Sequence, residues 1–262
     1  MSLIKTTDPI YFGGVDLNSI SGWRTTDTDT YRYPKRDTTE FPIAYSNQQA
    51  ITSAFYTERM LSISGVITST GREALDDSIS ELRRILEPIN QTLQLPVSGN
   101  QRIFNEVTVT NITISDVKGG YAAIDIELAT TDPFNYSLTS VELLNIINLT
   151  SGNKSYPVTL EGRGDQAPIF TLTLDTVTNG TNKTITISNP ATGKSISIEG
   201  VWAANDVLII NCKTKTVTVN AVDVDFDGSF PVWAKGLGTI NYSDDFTQRQ
   251  IDINVVYTKR YL

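Results

Sequence analysis

The sequence contains no histidine and a single cysteine, Cys212. Without histidine, the chain cannot form Ser-His-Asp or Cys-His catalytic sets, the usual zinc sites, or the commonest general base at neutral pH. One cysteine excludes an intramolecular disulfide and any zinc site that needs several thiolates. Because Cys212 ends the apolar run 207–210, we expect a small core residue there. We therefore predict no enzyme activity, no catalytic residues, no cofactor and no metal.

Long hydrophobic runs are also absent, since no stretch approaches the roughly 20 apolar residues of a membrane helix. The first residues lack the apolar core of a signal peptide, so we expect synthesis in a cytoplasm. The net charge of −8 and the pI near 4.6 argue against a basic nucleic-acid surface and against docking on anionic lipid. With 39% hydrophobic and 19% charged residues, the 262-residue chain is globular and long enough for two domains.

A capping signal and an apolar stripe predict one helix over residues 72–87. Thr70 and Glu73 have the S/T-x-x-E spacing of a capping box, and Pro88 ends the run. The expected buried face consists of Leu75, Ile79, Leu82 and Leu86. Residues 60–67 alternate as a strand just before it. The helix must therefore cover the face of a sheet, because it cannot bury its stripe alone.

Alternating apolar residues predict β-strands in most of the remaining chain. Residues 107–114 and 122–128 form a hairpin with one dry and one wet face, provided that a bulge lies near Thr110. A second β series is predicted at 157–161, 169–174, 184–188, 195–199, 207–212, 216–220 and 250–257. The fold class is mainly β, with two β-sandwich-like domains.

The polar segment 135–156 is the predicted place of the domain boundary. We expect an N-terminal domain over 1–137 and a C-terminal domain over 138–262, with the last strand as a candidate for returning to the first domain. Residues 21–50 are polar and poorly patterned, and such long segments are usually functional or disordered. They are interpreted as either an arm that orders against a partner or a mobile loop.

Two patterns resemble ligand sites without completing them. Asp223, Asp225, Asp227 and Gly228 match the opening of a calcium loop, but Ala234 stands where the loop needs a bidentate glutamate. An exposed acidic strand face explains these acids better. Trp23, Trp202 and Trp233 raise the alternative of sugar binding, since aromatic faces stack on sugars. Isolated tryptophans are more often core or interface residues.

Several pieces of the chain resemble the distal tail proteins of long-tailed, non-contractile bacteriophages. They are residues 10–17 near the start, the strand and helix of 63–86, Asp132-Pro-Phe, the strand opening at 156–162, residues 206–217, 228–233 and 238–241. The resemblance covers most of the chain. In the last segment, Thr239-Ile240 separates the glycine from Asn241, which departs from the family's usual glycine-asparagine pair.

The resemblance implies a structural virion protein of the tail tip or baseplate hub, made in the bacterial host cytoplasm. It implies that the N-terminal domain, with its helix and arm, forms a hexameric ring joining the tail tube to the tip. It implies a galectin-like or carbohydrate-module-like C-terminal domain that anchors receptor-binding proteins. DNA would pass through the ring without specific binding, and no membrane partner is implied. The alternative function is a carbohydrate-binding module protein for attachment to the host surface.

Overall fold

A computed structural model describes residues 8–30, 34–42, 49–97 and 99–261. The chain divides into two compact units, one ending at Leu138 and the other spanning Thr139–Tyr261. Antiparallel strands dominate both units, and the described residues contain one α-helix. The prediction of a mainly β chain with a single helix is confirmed. No helix in the described ranges is long and apolar enough to cross a membrane.

The first unit contains nine complete strands, the helix, and the start of a tenth strand. They are β1 (Tyr11–Phe12), β2 (Val15–Asp16), β3 (Trp23–Asp29), β4 (Arg36–Pro42), β5 (Gln49–Tyr56), β6 (Arg59–Thr68), α1 (Arg72–Leu86), β7 (Gln91–Val97), β8 (Asn100–Lys118), β9 (Tyr121–Thr130) and β10 (Asn135–Leu149).

A four-stranded antiparallel meander in the order β3-β6-β9-β8 forms the centre of this unit. The first half of the long strand β8 also pairs with β7 on one side and with the start of β10 on the other. Ile63, Ile67, Ile124, Ile126 and Leu128 are buried because alternate residues of β6 and β9 point into one core. The predicted hairpin is confirmed, including its bulge between Val109 and Asn111.

The helix α1 packs its apolar stripe on this core. The buried residues include all four predicted positions, Leu75, Ile79, Leu82 and Leu86. The predicted cap is wrong, because the N-cap is Gly71 and no side chain bonds to the free amides. Ser69 instead donates its hydroxyl to the carbonyl of Gly71 at 2.8 Å. The helix start is therefore one residue later than the capping box required.

The segment 21–50 is not a uniform arm. Its first part is β3, which pairs with β6 over Trp23–Asp29 and contributes the buried Trp23 to the core. The later part contains β4 and β5, which pair with each other as a separate two-stranded sheet. The prediction of an unpatterned segment is therefore wrong for 23–29, while 31–33 and 43–48 lie outside the described residues.

The second unit is a sandwich of two antiparallel sheets. Its further strands are β11 (Asn153–Leu160), β12 (Ile169–Thr178), β13 (Lys183–Asn189), β14 (Lys194–Gly200), β15 (Asp206–Asn211), β16 (Thr216–Val219), β17 (Val222–Asp223), β18 (Asp227–Gly228), β19 (Gly236–Asp244) and β20 (Gln248–Tyr261). One sheet has the order β17-β16-β15-β12-β20-β10, and the other has the order β11-β19-β13-β14-β18.

One hydrophobic core fills the space between the sheets of the second unit. Phe170 and Trp233 contact each other in it with ring centroids 5.7 Å apart. The polar stretch 135–156, where the sequence predicts the domain boundary, consists largely of the strands β10 and β11, and the two units divide within it after Leu138. The last strand, β20, pairs with β12 in this unit and has β10 as its other neighbour, and its return to the first domain stays a prediction.

Candidate assembly surface

The central meander of the first unit has two open edges. Strand β3 pairs only with β6, and strand β8 beyond Thr108 pairs only with β9, among the strands that the structure describes. Because β3 and β8 are the outer strands of one four-stranded meander, their free backbone groups lie on opposite sides of it. An unpaired strand edge presents N–H and C=O groups that another strand can bind.

The open part of β8 borders a groove beside α1. The groove has a volume of about 730 Å³. Its lining includes Arg83 and Arg84 from the last turn of α1 and Val109 and Ile112 from β8. Val109 and Ile112 are half-buried against the core, while Arg83, Arg84 and Glu87 add charge to the lining. This combination suits a strand that pairs with β8 and places one face on the groove.

The β4–β5 hairpin is a second feature without a strand neighbour. Its base is closed by two backbone bonds, from Lys35 N to the Glu58 carbonyl at 2.7 Å and from Thr57 N to the Lys35 carbonyl at 3.0 Å. No other described strand joins this two-stranded sheet. An isolated two-stranded hairpin is marginally stable in water. The hairpin is therefore a segment that gains stability when another surface covers it.

A buried arginine lies where the hairpin joins the meander. Arg59, the first residue of β6, is 4% exposed. Its guanidinium donates to the carbonyl of Thr30 and lies 5.4 Å from the ring centre of Phe104. Burial lowers the pKa of Arg59, and the nearby carboxylate of Asp29 partly opposes this shift. A cation–π contact with a buried ring supports the charge only in part.

Three edge strands of the second unit, β11, β17 and β18, have features that oppose pairing. Strands β17 and β18, which end one side of each sheet, contain two residues each. The other long edge, β11, carries Lys154 and Pro157. Lysine and proline on an edge strand, and very short edge strands, are the usual means of preventing unwanted pairing. The β10 edge beyond Ser137 is also open among the described strands, because β10 pairs with β8 only over Asn135–Ser137.

A buried polar network fixes the connection between β19 and β20. The Asp244 carboxylate accepts from the Tyr242 hydroxyl at 2.6 Å and from Phe246 N at 2.9 Å, and pairs with Arg249 at 2.7 Å. Burial and the hydrogen bond to Asp244 both raise the pKa of Tyr242. All four residues make contacts inside the protein, so the network has a structural role.

The ligand patterns found in the sequence do not form sites in the structure. Among the described residues, no group of three or more His, Cys, Asp or Glu side chains could hold a metal ion, and this includes Asp223, Asp225 and Asp227. Trp202 and Trp233 are 5% and 1% exposed, and they donate their indole N–H to carbonyls of the protein. Trp23 is also buried. None of the three presents a ring face on which a sugar could stack.

Sequence reasoning missed the two open edges and Arg59. Edges depend on which strands pair, and pairing joins residues far apart in the chain. The burial of Arg59 has no local signal, because it lies between a polar hairpin and an ordinary alternating strand. The only hint was the unusual length of the polar segment before it, which predicted a partner for this region in general terms.

Comparison with known proteins gives two kinds of match. Residues 161–261 match the family of siphovirus-type tail components, C-terminal domain. The Dit (gp 19.1) protein of phage SPP1, described as a hub of the adsorption apparatus in phages infecting Gram-positive bacteria, has a TM-score of 0.74 at 15% identity. The match covers 98% of this chain and 100% of that one. This likeness shows a shared fold.

A chain of the phage P2 baseplate in its activated conformation with Ca matches with a TM-score of 0.49 at 8% identity, over 96% of this chain and 97% of that one. No curated protein sequence matches the chain.

Proposed function

We propose that this protein forms a structural ring of a phage tail tip, because residues 161–261 match the siphovirus-type tail component family and the whole chain shares the fold of a phage hub protein. The ring joins the tail tube to the tip and consists of six copies. It is made in the bacterial host cytoplasm and becomes part of the virion. Its function is mechanical, and no substrate is converted.

The observation that carries this proposal is the pair of open edges on the β3-β6-β9-β8 meander. A copy whose β3 edge pairs with the β8 edge of its neighbour leaves its own β8 edge open for the next copy. Such a head-to-tail contact closes into a ring when the rotation between copies allows it. Each closed contact satisfies backbone groups that an isolated copy exposes to water.

The hairpin and the groove support the same assembly. The β4–β5 hairpin extends from a base closed at Lys35 and supplies two strands that need a neighbour. In a ring, the adjacent copy provides the surface that covers the hairpin. Strand addition to an exposed edge is a common mode of protein recognition. With a net charge of −8 on each copy, an acidic lumen repels DNA, so DNA passes without binding.

The second unit is proposed to face outward and to anchor receptor-binding proteins. The protected edge strands β11, β17 and β18 support this role, because they oppose pairing with the ring sheet. The galectin-like comparison for this unit stays a prediction. The alternative of carbohydrate binding receives no support from the tryptophans, since all three are buried.

A hairpin replacement tests the ring. Residues 36–56 are exchanged for two glycines, which the short distance between Lys35 and Thr57 at the hairpin base allows. This variant keeps β3 and Arg59, so the core of the first unit is retained. We expect it to fold with unchanged tryptophan fluorescence and to remain monomeric where the natural chain forms rings. Rings of normal size from this variant would contradict the role of the hairpin.

Edge charging tests the strand contact separately. Thr113→Lys with Ser115→Lys places two charges on exposed positions of the open part of β8. Thr159→Lys, on the already protected strand β11, is the matched control. We expect the double variant to lose ring formation and the control to keep it. Equal assembly of both proteins would show that the β8 edge is not the contact.

A further inference from the structure

Three side chains in the first unit, those of Arg59, Gln101 and Asn135, have buried hydrogen-bonding atoms that no described residue satisfies. The Nε and Nη1 groups of Arg59 are covered and have no acceptor, and the Oδ1 of Asn135 is covered and has no donor. Arg59 is 4% exposed and Asn135 is 3% exposed. Buried polar groups in native structures are nearly always paired, so an exception in a folded chain needs an explanation.

The side chains of Arg59 and Asn135 lie next to the same aromatic residue. The Arg59 guanidinium lies 5.4 Å from the ring centre of Phe104. Asn135 is directly opposite Phe104 in the β8–β10 ladder, which places their side chains on the same face of the sheet. The unmet donors of Arg59 and the unmet acceptor of Asn135 are therefore both on residues next to Phe104. An incompletely bonded buried charge is costly for the isolated chain.

The surroundings of Arg59 connect it to the assembly surface. Arg59 follows the β4–β5 hairpin, and its one hydrogen bond goes to the carbonyl of Thr30, directly after the open edge strand β3. A strand added to the β3 edge would end beside Asp29 and Thr30, and the Thr30 carbonyl is the one that Arg59 binds. Backbone carbonyls of such a strand are acceptors that a guanidinium binds well.

We propose that Arg59 binds an oxygen of a second copy of this chain when the ring forms, and that the base of the hairpin shifts to admit it. This inference rests on the proposed ring and names a residue that makes its contact specific. Arginine is among the residue types that dominate protein interfaces when they are desolvated. The unsatisfied donors are then a property of the free copy, and assembly removes their cost.

The test compares Arg59→Met, Arg59→Lys and the control Arg72→Met. Methionine keeps an apolar stem of similar length but has no donors, whereas lysine keeps the charge without the planar fork. Arg72 is an exposed arginine of α1 that pairs with Asp76 at 3.1 Å. Each variant is measured as the full chain for urea unfolding at low concentration and for ring formation by mass photometry across concentration.

A contact made only in the ring gives a distinctive result. Arg59→Met should unfold at the same or a higher urea concentration than the natural chain, because it removes an incompletely bonded buried charge. Its half-assembly concentration should rise at least about tenfold, with Arg59→Lys also impaired. Arg72→Met should change neither measurement.

Two results would overturn the inference while leaving the ring proposal intact. The first is Arg59→Met assembling like the natural chain, which would mean that a trapped water satisfies the donors. The second is a clear loss of stability in Arg59→Met monomers, which would make Arg59 a structural residue of the free chain. Failure of the natural chain itself to assemble would instead refute the proposed ring, and with it the inference.

Discussion

Replacing Gly65 by alanine should loosen the edge strand β3. Gly65 lies in β6 opposite Thr25 of β3. A Cβ added there would lie 2.4 Å from the Cη2 atom of Trp23 and 2.9 Å from the carbonyl of Arg24. Both distances are too short for real contacts, and one of them involves backbone. The Trp23 indole, which is 5% exposed, and the strand beside it must therefore move.

The expected cost follows from two opposing effects. Overpacking a core typically costs about 1–3 kcal/mol. Replacing glycine by alanine also adds about 0.4–1 kcal/mol to the free energy of unfolding, because alanine restricts the unfolded chain. The net loss should be about 1–2 kcal/mol, which lowers the urea midpoint of the first unit by about 0.5–1 M. Trp23 is the only tryptophan before residue 139, so the change in its fluorescence reports this unit directly.

A matched variant and a double-mutant cycle make this prediction refutable. Gly71→Ala is the control, because a Cβ there meets nothing within 4 Å. Trp23→Leu removes the indole ring with which the Cβ added by Gly65→Ala would clash. The double variant should therefore lose about 1 kcal/mol less stability than the sum of the two single variants. A neutral Gly65→Ala, or strictly additive effects, would refute the packing argument. A destabilised β3 should also reduce ring formation.

Three further experiments test the second unit. Asp244→Asn should cost about 3–5 kcal/mol in urea unfolding followed at Trp202 and Trp233, because it leaves the charge of Arg249 uncompensated in the interior; a loss below about 1 kcal/mol would contradict this. Burial raises the pKa of Cys212 to about 12, so iodoacetamide at pH 8 should label it only after unfolding, and fast labelling of the native protein would show that the thiol is accessible. The hydrogen bond and the attraction from Lys259 lower the pKa of Glu161 below its ordinary value of 4.5. The stability that this ion pair adds is therefore present above pH 4.5 and is lost as the pH falls through the pKa of Glu161 in the folded protein. Glu161→Gln should remove this acid-side dependence between pH 7 and pH 3, and an unchanged pH profile would show that the ion pair contributes nothing.

The helix was the most predictable element because its signal is local. The intervals between Leu75, Ile79, Leu82 and Leu86 identify one face of a helix whatever it packs against. The bulge near Thr110 was equally predictable, since the apolar side chains switch from one face to the other within one strand. The N-cap was not predictable in this way, because Gly71 occupies that position in place of Thr70, whose hydroxyl would make a better cap.

Strands with few inward residues escaped prediction. In β3 only Trp23 and Thr25 are buried, because a strand at a sheet edge with a bulge has little core to contact. The apolar cluster at 141–147 belongs to β10, but it lacks clean alternation and therefore did not predict a strand. The secondary structure of these segments is decided by distant partners rather than by their own pattern.

The assembly surface shows the same limit more strongly. Composition and the missing histidines favoured a structural protein, and the polar segment before Arg59 indicated a partner. Open edges, however, are defined by the strands that do not pair, and no sequence pattern records this. The resemblance to phage distal tail proteins supplied what periodicity could not. Its match over 161–261 and the shared fold now support it.

The mass of the full chain in solution, measured across concentration with electron micrographs of the same samples, tests the central claim most directly. We predict a closed ring with six times the 28.8 kDa mass of one copy, and no larger open filaments. A monomer at every concentration, with no ring in the micrographs even after tail-tube protein is added, would contradict the account.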